Sequence, residues 1–213
     1  MNIDKEIENL KVMLLKMADT VQQNISESFG LYRERLPAGA MVINDDIVDH
    51  YERLIEEISL NIILKERPYA GDLRIVTGIL KMVADLERIG DHAEDIFIFN
   101  NKLQKYEKIK NGDIDEMVAV ALSMVTDSIK SFVKEDIELA RQVIARDDKV
   151  DDIYQRLLDR FVDESTAGKI SSGFAIYSTL VVKYIERIAD HAQNIAEWVI
   201  YIISGYHKDG QIF

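Results

Sequence analysis

One stretch of this chain occurs twice. Leu86-Glu87-Arg88-Ile89-Gly90-Asp91-His92-Ala93-Glu94-Asp95-Ile96 returns 99 positions later as Ile185-Glu186-Arg187-Ile188-Ala189-Asp190-His191-Ala192-Gln193-Asn194-Ile195. A duplication constrains the fold before any other property does, because like sequences build like units. In each copy Glu and Asp stand four apart, Glu87 with Asp91 and Glu186 with Asp190, which stacks them on a single helix face. Asp95 extends the first stack by another turn. Stacked like charges cost about 0.2–0.5 kcal/mol per pair on an exposed helix. Two kinds of neutralising group are open: ion pairs from Arg88, Arg187 and nearby lysines, or a divalent cation.

Periodicity supplies the helices around the motif. Ile3, Ile7, Leu10, Leu14, Met17, Val21, Ile25, Phe29 and Tyr32 recur at steps of three and four, which predicts an amphipathic helix from Asp4 to about Arg35. Leu36-Pro37-Ala38-Gly39 interrupts it. Asn44 or Asp45 caps a second helix reaching Lys65, which Arg67-Pro68 ends. A third helix, with Asp72 in its first turn, carries the first motif to about Leu103. Lys110-Asn111-Gly112-Asp113 is the clearest break, with Gly112 as terminator and Asp113 as the next cap. Helical segments then follow from Ile114 to about Val133, from Asp136 through Ile144 and on to about Glu164, and from Phe174 to about Ser204, before a tail from Gly205 to Phe213. Arg146-Asp147-Asp148-Lys149-Val150-Asp151 matches Asn44-Asp45-Asp46-Ile47-Val48-Asp49 at a distance of 102 positions and anchors the repeat a second time. The prediction is an all-α chain of two tandem, pseudo-symmetric three-helix bundles, six helices running up and down, over residues 1–110 and 111–213.

The net charge of −12 disfavours nucleic acid and anionic lipid as partners and favours cations or basic protein surfaces. Cysteine is absent, which excludes disulfides, thiolate metal sites and thiol catalysis. The charged start, Met1-Asn2-Ile3-Asp4-Lys5-Glu6, lacks the apolar core of an export signal. The apolar run from Trp198 to Ile203 is far shorter than the roughly 20 residues that span a bilayer. A cytoplasmic location is therefore expected. A di-iron oxidase would need Glu-x-x-His pairs on its helices, but Ile89 and Ile188 stand three before His92 and His191. These histidines are read as packing or hydrogen-bonding groups, and Arg88 and Arg187 as ion-pair partners. No nucleophile triad, phosphate loop or zinc-ligand histidine pair is present in the sequence, so the chain is read as a non-enzyme.

Arg67-Pro68-Tyr69-Ala70-Gly71-Asp72-Leu73-Arg74, the stretch from Leu86 to Asp91, and the stretch from Ile185 to Glu197 followed by Val199-Ile200-Tyr201 resemble the PhoU family of phosphate-transport regulators. The resemblance covers nearly the whole chain. It implies two three-helix bundles assembled as homodimers or higher oligomers, and acidic motifs that bind iron, zinc, manganese or magnesium. It implies a negative regulator of the phosphate-starvation response that couples the ATPase of the phosphate importer to a phosphate-sensing histidine kinase, meeting the membrane only through these partners. By position, the metal residues are Asp46, Asp49, Glu87, Asp91 and Asp95 in the first half and Asp148, Asp151, Glu186, Asp190 and Asn194 in the second. Asn194 in place of Asp95, and Ala189 in place of the usual Gly, make the two sites unequal. The alternative is a carboxylate-rich metal-binding or purely structural helical protein with no part in phosphate signalling.

Overall fold

The computed structural model describes residues 3–34, 43, 45–66, 68–106, 112–207 and 210–211. Among the described residues seven helices carry the fold: α1 (Ile3–Glu34), α2 (Asp45–Glu66), α3 (Ala70–Leu103), α4 (Gly112–Lys134), α5 (Ile137–Ile144), α6 (Asp147–Thr166) and α7 (Ser172–Ser204). Beyond them β1 (Tyr206–His207) pairs antiparallel with β2 (Gly210–Gln211). The expected break at Leu36-Pro37-Ala38-Gly39, the Asn44 cap, Arg67, and Lys110-Asn111 lie outside the described residues.

The helix ends differ from the sequence reading where side chains decide them. Gly112 and Asp113, expected as terminator and cap, sit in the first turn of α4. The last helix begins before Phe174 because Ser171 accepts a hydrogen bond from the Phe174 N–H at 3.2 Å. The middle element of the second half is divided into α5 and α6. Asp136 caps α5 by accepting from Leu139 N at 2.9 Å. At the break, Arg146 donates to Asp127 Oδ2 on α4 at 2.6 Å.

Residue pairs give the helix directions. Along α2 and α3 the acids near Asp45 are Asp91 and Glu94, and those near Glu52 include Asp91, so the two helices run antiparallel. Glu116 on α4 meets Lys149 at 2.7 Å and Asp127 meets Arg146, so α4 and α6 are antiparallel too. The two three-helix units then join through α3 and α7. Tyr106 meets Phe174 and Tyr177, Phe99 meets Tyr177 and Tyr184, His92 meets Tyr184 and His191, and Asp85 meets His191 and Asn194. Numbers fall on α7 as they rise on α3, so this seam is antiparallel. Positions 85, 92, 99 and 106 on one side, and 177, 184 and 191 on the other, step by seven residues, the spacing that keeps a stripe facing its partner.

His92 and His191 are repeat equivalents, and their rings lie 5.5 Å apart, so the pseudo-two-fold axis passes beside the duplicated motif. One continuous core spans both units, with Leu14, Met17, Ile79, Met82, Met124, Val182 and Ile195 all fully buried. Within the first unit, Ser28 Oγ donates to Ala93 O at 2.6 Å and Asn100 Nδ2 donates to Ser28 O at 2.9 Å, which bolts α1 to α3. At the far end of α7, Gly205 adopts φ 83° and the chain returns over Trp198, whose ring stacks on His207 at 4.0 Å.

Replacing Phe99 by Ala removes the ring between Tyr177 and Tyr184 and is expected to lower stability by about 2–4 kcal/mol. Urea unfolding should show the loss in a single transition, because α3 and α7 wall one shared core; two separated transitions would show that the halves fold independently.

Candidate metal centres

The acids of each motif point away from the seam toward the neighbouring helix of their own unit. On α3, Glu87, Asp91 and Glu94 face α2, where Asp45, Asp49 and Glu52 form a matching stripe at steps of four and three. Asp49, Glu52 and Glu87 each offer an oxygen within 4.8 Å of the other two. On α7, Glu186 and Asp190 face Asp147 and Asp151 of α6.

Electrostatics shows how little of this charge is matched. Burial, then repulsion from Glu94, Asp49, Asp91 and Asp46, pushes the Asp45 carboxyl up to about 6. Burial and repulsion from Asp190, Asp151, Glu186 and Asp148 push Asp147 up to about 7. Glu52, Glu87, Asp151 and Asp190 are raised by the same two causes. At the first cluster the ion pairs come from Arg88, which reaches Asp91 at 2.9 Å and Glu87 at 3.4 Å. At the second, Lys183 donates to both oxygens of Glu186 at 2.7 Å and lies 5.2 Å over the Tyr154 ring. Arg187, expected as an ion-pair partner, is exposed and makes no ion pair among the described residues.

The sequence-predicted residues divide into three groups. Asp49, Glu87, Asp91, Asp151, Glu186 and Asp190 are brought into the two clusters. Asp46 and Asp148 are exposed, and the residues before them, Asp45 and Asp147, are the ones turned inward. Asp95 and Asn194 have their hydrogen bonds in the seam: Asp95 with Tyr184, and Asn194 with Asp85 at 3.3 Å. A step of four from Asp91 or Asp190 has turned these side chains toward the other unit, while Asp95 still feels the charge of Asp91. Asp45, Glu52 and Asp147 were missed. Their signal was present, because 45, 49 and 52 share a face while 46 does not, and 147 shares one with 151.

The histidines lie in the seam. His191 Nδ1 is 2.8 Å from Asp85 Oδ1. His92 is held down at about 4 by burial and by the nearby His191, Arg187 and Arg88 charges, so it is neutral at pH 7, with Nδ1 buried and 3.8 Å from Asp95 Oδ2.

The donor set fits an oxygen-seeking cation. Among the described residues Asp45 Oδ1 is buried without a hydrogen-bond partner, within reach of the charges of Asp46, Asp49, Asp91 and Glu94. Carboxylate-only ligation suits magnesium, manganese and iron better than copper or a thiolate-seeking metal. The second cluster is weaker. By the repeat offsets, Tyr154 stands where Glu52 does, Gln193 where Glu94 does, and Lys183 where Ala84 does. Ala189 also fills the position of Gly90, where a Cβ would lie 3.3 Å from Val48 Cγ1 and 3.7 Å from Asp45 Oδ1.

A family model described as the PhoU domain matches residues 14–97 and again 114–199. The chain is 33% identical over 211 residues to the phosphate-specific transport system accessory protein PhoU homolog 1 of Thermotoga maritima, spanning 96% of this chain and 90% of that one. It is 36% identical over 208 residues to the PhoU homolog of Aquifex aeolicus, spanning 96% and 94%. The crystal structure of PhoU from Pseudomonas aeruginosa matches with a TM-score of 0.87 at 28% identity, over 96% of this chain and 100% of that chain.

An aspartate whose folded pKa is raised stabilises the fold fully below its unfolded value and less as pH rises through the folded one. Removing the charge at Asp45 and Asp147 therefore helps most above pH 7. In EDTA, Asp45→Asn with Asp147→Asn should raise the unfolding free energy at pH 8 by about 2 kcal/mol, after screening by solvent, and change it little at pH 4. Taking the difference between variant and parent removes the contribution of His92, whose lowered value acts in the opposite direction.

Proposed function

The chain belongs to the PhoU family, and we propose on that premise that it is an accessory protein of a phosphate-specific transport system whose α2–α3 face is set by bound cations. It acts by docking rather than turnover. It restrains the phosphate-starvation response by linking the importer's ATPase to a phosphate-sensing histidine kinase on the cytoplasmic side, and it works as a homodimer or higher oligomer. One observation carries the reading: Asp45, Asp49, Glu52, Glu87, Asp91 and Glu94 face one another across α2 and α3, with Arg88 paired to Glu87 and Asp91, on a fold whose relatives are named for phosphate transport. No helix among the described residues is long and apolar enough to cross a membrane, which fits a protein that meets the bilayer through partners.

Asp45, Asp49 and Glu52 of α2, with Glu87 and Asp91 of α3, would hold the ion. Iron, manganese, magnesium or zinc would supply the positive charge this oxygen set lacks. Among the described residues, α2 packs chiefly on α1 and α3. Its position relative to α3 thus depends on Val48 and its neighbours packing against the Gly90 region, working against repulsion between the two acid stripes. Neutralising that repulsion fixes the surface α2 presents to a partner. For the second cluster, the Lys183–Glu186 pair favours a plainer role as an internally paired face, with weaker ion binding.

Protein purified without chelator is expected to retain substoichiometric iron, manganese or zinc that EDTA removes. Asp49→Ala with Glu87→Ala should lower manganese affinity at least about tenfold with unchanged helix content by circular dichroism, whereas Asp151→Ala with Glu186→Ala should have the smaller effect. Loss of the gene should leave phosphate-scavenging genes expressed in phosphate-rich medium. Normal repression there would overturn the regulatory part, and unchanged metal content in the first variant the ion site.

A further inference from the structure

The pseudo-symmetry that relates the two units is broken at the ends of the α3–α7 seam. At one end Phe174, Tyr177 and Tyr106 crowd together, Tyr106 meeting Phe174 at 6.2 Å and Tyr177 at 6.3 Å between ring centroids. Ninety-nine positions away, the equivalent residues at the other end are Ile75, Gly78 and Gly205. Three aromatic rings are thus replaced by one aliphatic side chain and two glycines. Ile202 leans into the space over Gly78, and what remains is a cavity of about 170 Å³ walled by Leu15, Ile75, Phe132, Val199, Ile202 and Ile203, where α1, α3, α4 and α7 meet. An apolar cavity of about 150 Å³ takes up a benzene ring, so this one matches the group missing from it.

The cavity's charged residues are Glu8, Lys11 and Glu135, with Glu8 and Glu135 exposed. Glu135 carries a second observation. It has φ 52°, the one positive φ of a non-glycine among the described residues. Asp136 N donates to Ser131 O at 2.9 Å and Glu135 N to Phe132 O at 3.3 Å, so Glu135 occupies the left-handed position after α4 that glycine normally takes. A side chain there is held at a cost of about 1–2 kcal/mol, and strain of this kind concentrates where a side chain has a task. Here the strained residue delivers a carboxylate to an apolar cavity.

We propose that this cavity is a docking site for a partner-protein segment that presents one aromatic side chain next to a basic residue. The ring enters between Ile75, Val199 and Ile202, as Tyr106 enters the equivalent region at the other end. The basic group meets Glu135 and Glu8. Buried aromatic anchors in preformed pockets dominate the energetics of such contacts, and the charge on this chain favours a basic partner over a second copy of itself. The site is separate from the acid clusters and does not depend on their occupancy.

The test uses protein carrying 13C-labelled isoleucine δ-methyl groups, in EDTA, titrated with the peptide acetyl-Arg-Phe-Arg-amide. Saturable shifts at Ile75, Ile202 and Ile203, with Ile62 unmoved, are expected, and none with acetyl-Arg-Ala-Arg-amide. Ile75→Phe, which builds the equivalent ring into the cavity, should abolish the remaining shifts; Val199→Phe serves the same purpose if the first variant does not fold. Glu135→Gln should weaken the peptide about threefold. Absence of shifts at millimolar peptide, equal shifts with the alanine peptide, or binding that survives the filled cavity would overturn the site, and unchanged affinity in Glu135→Gln would overturn the basic flank.

Discussion

The antiparallel seam between α3 and α7 is the constraint on which the rest of the molecule depends. A three-helix unit of this size buries its apolar stripes only in part, and the two units here complete each other by sharing a core that neither encloses alone. The seam is built from side chains stepping by seven residues, aromatic toward one end and polar at the middle. Aromatic pairs of this geometry add about 0.5–1.5 kcal/mol each beyond the area they bury. The polar middle costs less than it would in isolation because its groups are paired across it, with His191 on Asp85 and Tyr184 on Asp95.

Placing the duplicated motif on the axis decides where its charges go. His92 and His191 follow the motif aspartates directly and turn about 100° from them, so the histidines meet at the axis and the acids diverge to opposite flanks. Each acid stripe then faces the helix next to it in its own unit. The repulsion there, visible in the raised values of Asp45 and Asp147, is tolerated because Val48 and Val150, one helical turn in from each stripe, are fully buried and hold α2 and α6 down. The core supplies the stability that the acid clusters spend.

Much of this was legible in the sequence. The repeat fixed the number of units, and steps of three and four located the helices to within a few residues. The acid stack of Glu87 and Asp91 was readable because a spacing of four has one meaning on a helix. Helix phase was harder. Asp45 and Asp46 are adjacent, and which of them faces α3 depends on where the helix is set by Val48 and Ile55 in the core, a comparison of faces rather than of spacings. Asp95 and Asn194 show the other effect of phase: a spacing of four drifts by about 40° per step, which brings these side chains to hydrogen-bond partners in the seam. The seam itself was hidden because its seven-residue period runs beside the stronger apolar stripe of Leu86, Ile89, Ala93 and Ile96.

Once a structure shows the symmetry, its violations become the informative residues. Packing alone would let both halves keep the same side chains, so each difference has a local cause. Tyr154 for Glu52, Lys183 for Ala84 and Gln193 for Glu94 all reduce negative charge at the second cluster, and three changes in one direction are hard to assign to drift. Ile75 for Phe174, Gly78 for Tyr177 and Gly205 for Tyr106 all remove ring volume at one end of the seam, and they leave a cavity beside a strained glutamate. The first unit thereby keeps the denser acid cluster, and the junction between units, at a single end, keeps the cavity. A duplicated fold can divide labour this way because the shared core holds both copies in place while their outer faces change.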